Sequence, residues 1–446
     1  MTAVEAAVVT PKPVFASRVE LMGTEAAFGF GSRILEVEAK GERVIRANLG
    51  QPDFPLPSHI AEAVIQAIWD GQTTYCDPQG LPELRAALAK KIATDRGLDE
   101  IDPERVVVYP GARPSIGFAQ QSYCERGDEV IYPTPGYPLY ESYIPYVGAK
   151  PVPIHLREDH GFSLTTEELE PLLTDRTKLI YLNCPSNPTG GVASREQIAA
   201  LAESILENTP PYVRVYSDEA YEAIAFDGEK NHSIASVPGM ERRTIIASAV
   251  SKTYAWTGGR VGWAVYPTVE EAKVHRNLII NYFASTSPYN QIGAVTALES
   301  PLSDPAIKTM CDAFQMRRDV VVDGLNKIDG IHCQKPIGAF YVFPNIEGAI
   351  ENLGVMDVFD MLPEHIRHNS SPATLFQLFL LHHYQVATMD RRSFGTIDSE
   401  GQHFIRISVA TAVADLEDAV RRIAEAVTDE MGFRTFVASG VRLTLE

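Results

Sequence analysis

The stretch Ser251-Lys252-Thr253-Tyr254-Ala255-Trp256-Thr257-Gly258-Gly259-Arg260-Val261-Gly262 sits between two apolar runs of β type, 244–250 and 261–266. A lysine at the end of a buried strand is costly as a purely structural choice, because desolvation disfavours its charged form. That cost becomes useful where a lysine must be a neutral nucleophile, as in Schiff-base chemistry with a carbonyl. Arg260, eight residues on and beyond a Gly-Gly bend, suits a bidentate phosphate contact. Taken alone, Ser251-Lys252 reads more readily as a snorkelling lysine, and Arg260 as a surface arginine. The surroundings decide between the two.

Outward from this segment the chain alternates. Strand candidates fall at 105–109, 129–132, 151–155, 178–183, 213–217, 244–250 and 261–266, with helix-like stretches such as 115–124 and 195–207 among them. Several strands are near-continuous apolar runs, which suits a mostly parallel sheet covered on both faces. Upstream, Ser58 opens a helix carrying Ile60, Val64 and Ile68 that stops at Gly71. Pro82 opens another with Leu84, Leu88 and Ile92, ending by Gly97. Beyond about residue 325 the pattern changes to a helix, a strand at 339–343, a long irregular or helical insert, a strand at 404–409 and a helix at 416–427. The expected fold is α/β: a large domain with a mostly parallel sheet covered by helices on both faces, plus a smaller α+β domain. Residues 1–57 are assigned to an N-terminal arm and part of the small domain, 58–325 to the large domain, and 326–446 to the C-terminal small domain. A length of 446 residues fits two domains better than one core.

Several turns at strand ends carry residues with chemical potential. Pro110-Gly111-Ala112-Arg113 joins a strand to a helix, and free N–H groups there favour an anion, although many α/β turns look the same. Pro135-Gly136-Tyr137-Pro138 presents an aromatic between turn residues. Asn187-Pro188-Thr189-Gly190 is a turn by composition. Asp218 and Tyr221 lie in Ser217-Asp218-Glu219-Ala220-Tyr221 at another strand end, thirty-one residues after Asn187 and thirty-four before Lys252. Arg406 stands alone in the apolar strand Phe404-Ile405-Arg406-Ile407-Ser408-Val409, where a guanidinium serves either an ion pair or a two-pronged carboxylate clamp.

Read in this order, from about Asn48 to Val427, these segments resemble the pyridoxal-phosphate aminotransferases of the aspartate aminotransferase type, fold type I. The resemblance implies pyridoxal 5'-phosphate as cofactor, held covalently by Lys252. It places the cofactor phosphate on the amides of Ala112 and Arg113, on Arg260 and on Ser251. Tyr137 would stack on the pyridine ring, Asp218 would pair with its nitrogen, and Asn187 and Tyr221 would meet its phenolic oxygen. Arg406, with Asn187 and the backbone N–H of Gly50, would take the substrate α-carboxylate. Tyr75, in Thr74-Tyr75-Cys76-Asp77-Pro78, would reach the phosphate in a neighbouring subunit's site, making the enzyme a homodimer with shared active sites. The catalytic set is then Lys252, Asp218 and Tyr221. The expected reaction moves an amino group from an L-amino acid to a 2-oxo acid by ping-pong kinetics. Aspartate or glutamate is favoured as donor and 2-oxoglutarate as acceptor, because Arg113 stands where some relatives hold a distal carboxylate; Arg391 and Arg392 are further candidates.

Two departures stand out. Ala249 occupies a position where many relatives carry a phosphate-binding Ser or Gly, leaving Ser251 or Ser248 to substitute. Residues 345–403 are longer than usual, and Met389-Asp390-Arg391-Arg392-Ser393-Phe394-Gly395 replaces the common P-G-x-x-F-G segment. The fold and cofactor also support lyase, decarboxylase and oxidase chemistry. A non-catalytic regulatory module would need a fused DNA-binding element, for which some 45 unpatterned residues leave little room. A nucleotide-dependent oxidoreductase lacks its motif, since Gly29-Phe30-Gly31 has no third glycine.

Composition narrows the partners. A formal net charge of −19 argues against nucleic acid and anionic membranes. Five scattered cysteines without C-x-x-C spacing predict neither a disulfide framework nor a metal site. With no apolar run long enough to span a bilayer and no leader pattern, the expected location is cytoplasmic.

Overall fold

A computed structural model of the chain describes residues 14–23 and 26–445. The first thirteen residues of the expected arm, and Glu446, lie outside the described residues.

The apolar runs form one seven-stranded sheet, in the order Val106–Tyr109, Gly262–Val265, Thr244–Ala249, Arg214–Asp218, Thr177–Asn183, Glu129–Thr134, Lys150–His155. Only Gly262–Val265 runs against its neighbours. It is antiparallel to the strand on either side, so Val106–Tyr109 again points the same way as the rest. Six strands therefore end on one edge, and Gly262 begins there. Both faces are covered, which is why the strands lack clean alternation. Val107, Tyr109, Tyr181, Tyr216 and Ala247 face the helices Arg113–Tyr123, Leu139–Val147 and Val269–Phe283. Val106, Val108, Ile246 and Trp263 face Ser58–Trp69, Pro82–Arg96 and Pro288–Glu299. Pro82 sits in the first turn of its helix, and Gly97 closes it at φ 62°.

The smaller lobe is built on the antiparallel strands Met389–Asp390, Ile405–Ser408 and Tyr341–Val342. Residues Ile45–Arg46 pair with Val386–Ala387, and Phe30, Ile34 and Val37 of the helix Ala26–Glu38 pack into the same core. Of the two readings of the long insert, irregular or helical, the helical one holds. The insert forms the helices Glu347–Asn352, Val355–Asp360, Glu364–His368 and Pro372–Tyr384. The last is buried along nearly its whole length, with Leu375, Phe376, Leu378, Phe379, Leu380 and Leu381 all sequestered. Each such side chain contributes about 2 kcal/mol by leaving water. Gln377 interrupts the apolar run for a reason: its amide donates to the Thr388 carbonyl at 2.9 Å and accepts from the Asp390 N–H at 3.0 Å, locking the following strand in place.

Candidate active site

The common edge of the sheet brings together the turns singled out above. Asp218 ends its strand, Asn187 follows Thr177–Asn183, Tyr137 follows Glu129–Thr134, and Pro110-Gly111 follows Val106–Tyr109. Lys252 is not at the strand end itself. Thr244–Ala249 stops three residues earlier, and Lys252 rides on the single helical turn Val250–Thr253. Its Nζ donates to the Gly50 carbonyl and lies 5.9 Å from the ring centres of both Tyr221 and Phe340.

Asp218 is buried and accepts from the Tyr140 hydroxyl at 2.7 Å and from the Ala220 N–H at 3.2 Å. Burial pushes its carboxyl up to about 6, against the opposing pull of these hydrogen bonds and of the Lys252 charge. A buried acid in this state favours a cationic neighbour. Tyr221 is also buried, and its hydroxyl meets that of Tyr341 at 2.8 Å. Burial, with Tyr341 beside it, holds the Tyr221 phenol well above its ordinary range.

Arg406 is 4 % exposed. Its guanidinium donates to Asn187 Oδ1 at 2.9 Å and to the Asn48 carbonyl at 2.5 Å, and it lies over the rings of Tyr341 and Phe394 at 4.5 and 4.8 Å. Its Nε has no hydrogen-bond partner, and no carboxylate among the described residues pairs with it. A guanidinium buried among neutral acceptors is costly unless an anion joins it.

At the far end of the site the helix Arg113–Tyr123 opens directly after Gly111 and Ala112. Gly111 has φ +86°, and a Cβ there would overlap the Arg260 guanidinium; one on Gly262 would overlap the Ala112 amide nitrogen. Both glycines are needed to let strand ends, helix start and arginine converge. Arg260 donates to the carbonyls of Thr257 at 2.8 Å and Pro110 at 3.3 Å, and burial together with nearby Arg113 lowers its pKa. Two like charges beside a helix N-terminus describe an anion cradle. The Arg113 guanidinium also lies 5.8 Å from the Tyr137 ring centre.

The chemistry of these groups fits pyridoxal phosphate: an anion cradle, a buried carboxylate suited to a ring nitrogen, an aromatic face, a lysine, and an unneutralised guanidinium for a carboxylate. Other expected partners are engaged elsewhere. The Ser248 hydroxyl donates to the Glu219 carbonyl at 3.3 Å and to Glu222 Oε1 at 3.2 Å, which leaves half-buried Ser251 as the candidate serine. Arg391 is buried behind Phe394, held by the Gly395 carbonyl, Thr134 Oγ1 and Gln402 Oε1. Arg392 donates to the His368 carbonyl. Tyr75 is 86 % exposed and stands outside this chain's own cluster.

Three groups were not foreseen in the sequence. Tyr140 and Tyr341 support Asp218 and Tyr221, and no local motif announces either. Arg96, at the end of Pro82–Arg96, binds Glu219 at 2.6 Å and also Glu222, clamping the loop that presents Asp218 and Tyr221.

Fold and site together define a pyridoxal-phosphate-dependent transferase. Residues 42–423 match the profile of aminotransferase class I and II. The chain is 34 % identical to an aspartate aminotransferase of Geobacillus stearothermophilus, over 92 % of this chain and 97 % of that one. It is also 34 % identical to a probable aspartate/prephenate aminotransferase of Aquifex aeolicus, over 93 % and 98 %. Among solved structures, the aspartate aminotransferase of Rhizobium meliloti superposes with a TM-score of 0.82 at 34 % identity, covering 93 % of this chain and 98 % of that one. An aromatic aminotransferase from Pyrococcus horikoshii gives 0.78 at 31 %, covering 90 % and 100 %. The chain belongs to the class I and II aminotransferases and is a pyridoxal-phosphate-dependent enzyme of that family.

Proposed function

We propose that this aminotransferase takes aspartate or glutamate as amino donor and 2-oxoglutarate as acceptor, and that Lys252, Asp218, Tyr221 and Arg406 carry the reaction. The observation behind this is the convergence of a lysine amine, a buried carboxylate and an uncompensated buried guanidinium on one sheet edge. Pyridoxal phosphate, when bound, supplies a carbonyl carbon for the amine and a ring that accepts electrons released at the substrate Cα. Arg406, with the Gly50 N–H, fixes the substrate α-carboxylate and so orients the Cα–H bond toward Lys252. With its amine free, Lys252 Nζ would remove the Cα proton as general base and redeliver it as general acid. Asp218 remains ionised beside the ring nitrogen, and Tyr221 donates to the phenolic oxygen with Asn187. Arg260, Ser251 and the Ala112 and Arg113 amides hold the phosphate, and Tyr137 covers the ring face.

The donor preference rests on Arg113, whose guanidinium stands over Tyr137, and on relatives named as aspartate aminotransferases. A homodimer completes the same reading. Tyr75 and the apolar side chains Ile65, Ile68 and Trp69 of one helix are exposed, at 86, 55, 45 and 81 %, and an interface would cover them. The assignment of residues 1–57 to arm and small domain, 58–325 to the large domain and 326–446 to the small domain is supported by the pairing of 45–46 with 386–387. A cytoplasmic location agrees with five free cysteines. Among the described residues no helix is long and apolar enough to cross a membrane.

Donor specificity tests the proposal. Aspartate should exceed phenylalanine in kcat/KM, and Arg113→Met should lower kcat/KM for aspartate by about 30-fold while changing that for alanine less than about threefold. A wild-type preference for phenylalanine would overturn it.

A further inference from the structure

Tyr341 touches Tyr221, Arg406 and Gly50, and its part in the reaction goes beyond supporting Tyr221. It lies in the buried strand Tyr341–Val342, opposite Ser408 in register, and is 1 % exposed. A buried phenol needs a hydrogen-bond partner, and the Tyr341 hydroxyl finds Tyr221 Oη at 2.8 Å. Its ring carries the Arg406 guanidinium at 4.5 Å. Its hydroxyl also abuts Gly50, where a Cβ would overlap it, and the Gly50 carbonyl accepts from Lys252. One side chain thus meets the carboxylate arginine, the tyrosine beside the lysine, and the loop that holds the lysine.

We propose that Tyr341 is a positioning residue that couples the charge state of Arg406 to the Tyr221 hydroxyl beside Lys252. The inference rests on the roles given to Arg406 and Tyr221 above. A cation over the face of a phenol withdraws electron density and makes its hydroxyl the stronger donor. The 2.8 Å contact lets either hydroxyl donate; once Tyr221 gives its own proton to the phenolic oxygen of the cofactor, Tyr341 is left as the donor to the Tyr221 oxygen. A carboxylate arriving on Arg406 neutralises that cation and weakens the Tyr341 donor. Tyr221 then stabilises the deprotonated form at Lys252 less. Substrate binding at one end of the site is felt as a higher proton affinity at the other, without any movement of the backbone.

The test is a pH titration of the visible absorption of the holoenzyme, with and without succinate, a dicarboxylate that lacks an amino group. In the wild type, succinate should raise the titration midpoint. In Tyr341→Phe the midpoint without succinate should already lie higher by about 0.5 pH unit or more, and the succinate-induced rise should fall to less than about half. Succinate affinity should stay within about threefold, because the ring under Arg406 remains. In Tyr341→Leu, where that ring is lost, succinate affinity should drop about tenfold. Unchanged midpoints and an unchanged succinate shift in Tyr341→Phe would overturn the coupling. Should that variant not fold, Tyr221→Phe removes the same contact from the other side, and a full succinate shift there would overturn it equally. Failure of the underlying site reading looks different, since the wild type itself would then show no succinate effect on its titration.

Discussion

Arg406 Nη1 donates to Asn187 Oδ1 at 2.9 Å, joining a strand of the smaller lobe to the loop that leaves Thr177–Asn183. The contact commits the amide oxygen of Asn187, so its NH2 group is the side left to meet a ligand acceptor. On the proposed roles, the pair acts as one recognition unit rather than as two independent residues. Arg406→Lys keeps a charge but loses the planar fork, and should lower kcat/KM by about 100-fold, chiefly through KM. Asn187→Ala should cost about tenfold. Steady-state kinetics of both and of the double variant should give an effect smaller than the product of the two, as expected for contacting residues.

Behind the site, Arg96 is paired with Glu219 and Glu222, with side-chain exposures of 7, 1 and 19 %. Ser217 Oγ and Ser233 Oγ also donate to Glu219, at 2.9 and 2.5 Å. Removing the arginine would leave two carboxylates without their cation in the interior. Arg96→Met should therefore destabilise the protein by about 3–5 kcal/mol in urea unfolding. It should also weaken cofactor retention, since the clamped loop presents Asp218 and Tyr221.

Burial places the folded-state pKa of Asp218 at about 6, above the ordinary 3.8. Between these values the folded apoprotein binds the proton more tightly than the unfolded chain. Its stability contribution is therefore present below pH 4 and lost as pH rises through 6, a change of the order of 2–3 kcal/mol. Asp218→Asn removes the titration. The stability difference between the wild-type and Asp218→Asn apoproteins should move in that direction from pH 4 to 7, and a flat difference would count against the assignment. With cofactor bound, a cationic ring nitrogen beside Asp218 should suppress the effect.

The sheet was legible in the sequence because strands buried on both faces are written as apolar runs, and 177–183 and 244–249 are clear examples. The site was legible through turns at strand ends, where Asn187, Asp218 and Lys252 sit in recognisable company. The positions of Arg391 and Ser248 were not. Each is set by tertiary partners far away in sequence, Thr134 for one and Glu222 for the other. Tyr341 and Tyr140 were hidden for the same reason: a tyrosine in an apolar strand or helix reads as core until its hydroxyl partner is seen. The insert read as either irregular or helical because its short helices are separated by Pro363 and Pro372 and by the Gly354 turn.

The central claim, that Lys252 holds the cofactor and that an amino donor converts it, is tested most directly by absorption spectroscopy. Wild-type protein and Lys252→Ala, both reconstituted with pyridoxal phosphate, are compared before and after addition of aspartate without a 2-oxo acid. The wild type should show a visible band that aspartate replaces with a near-ultraviolet one and that 2-oxoglutarate restores. Lys252→Ala should lack the pH-dependent visible band and should not cycle. A wild type with no visible band, or a Lys252→Ala variant that cycles like the wild type, would contradict the account.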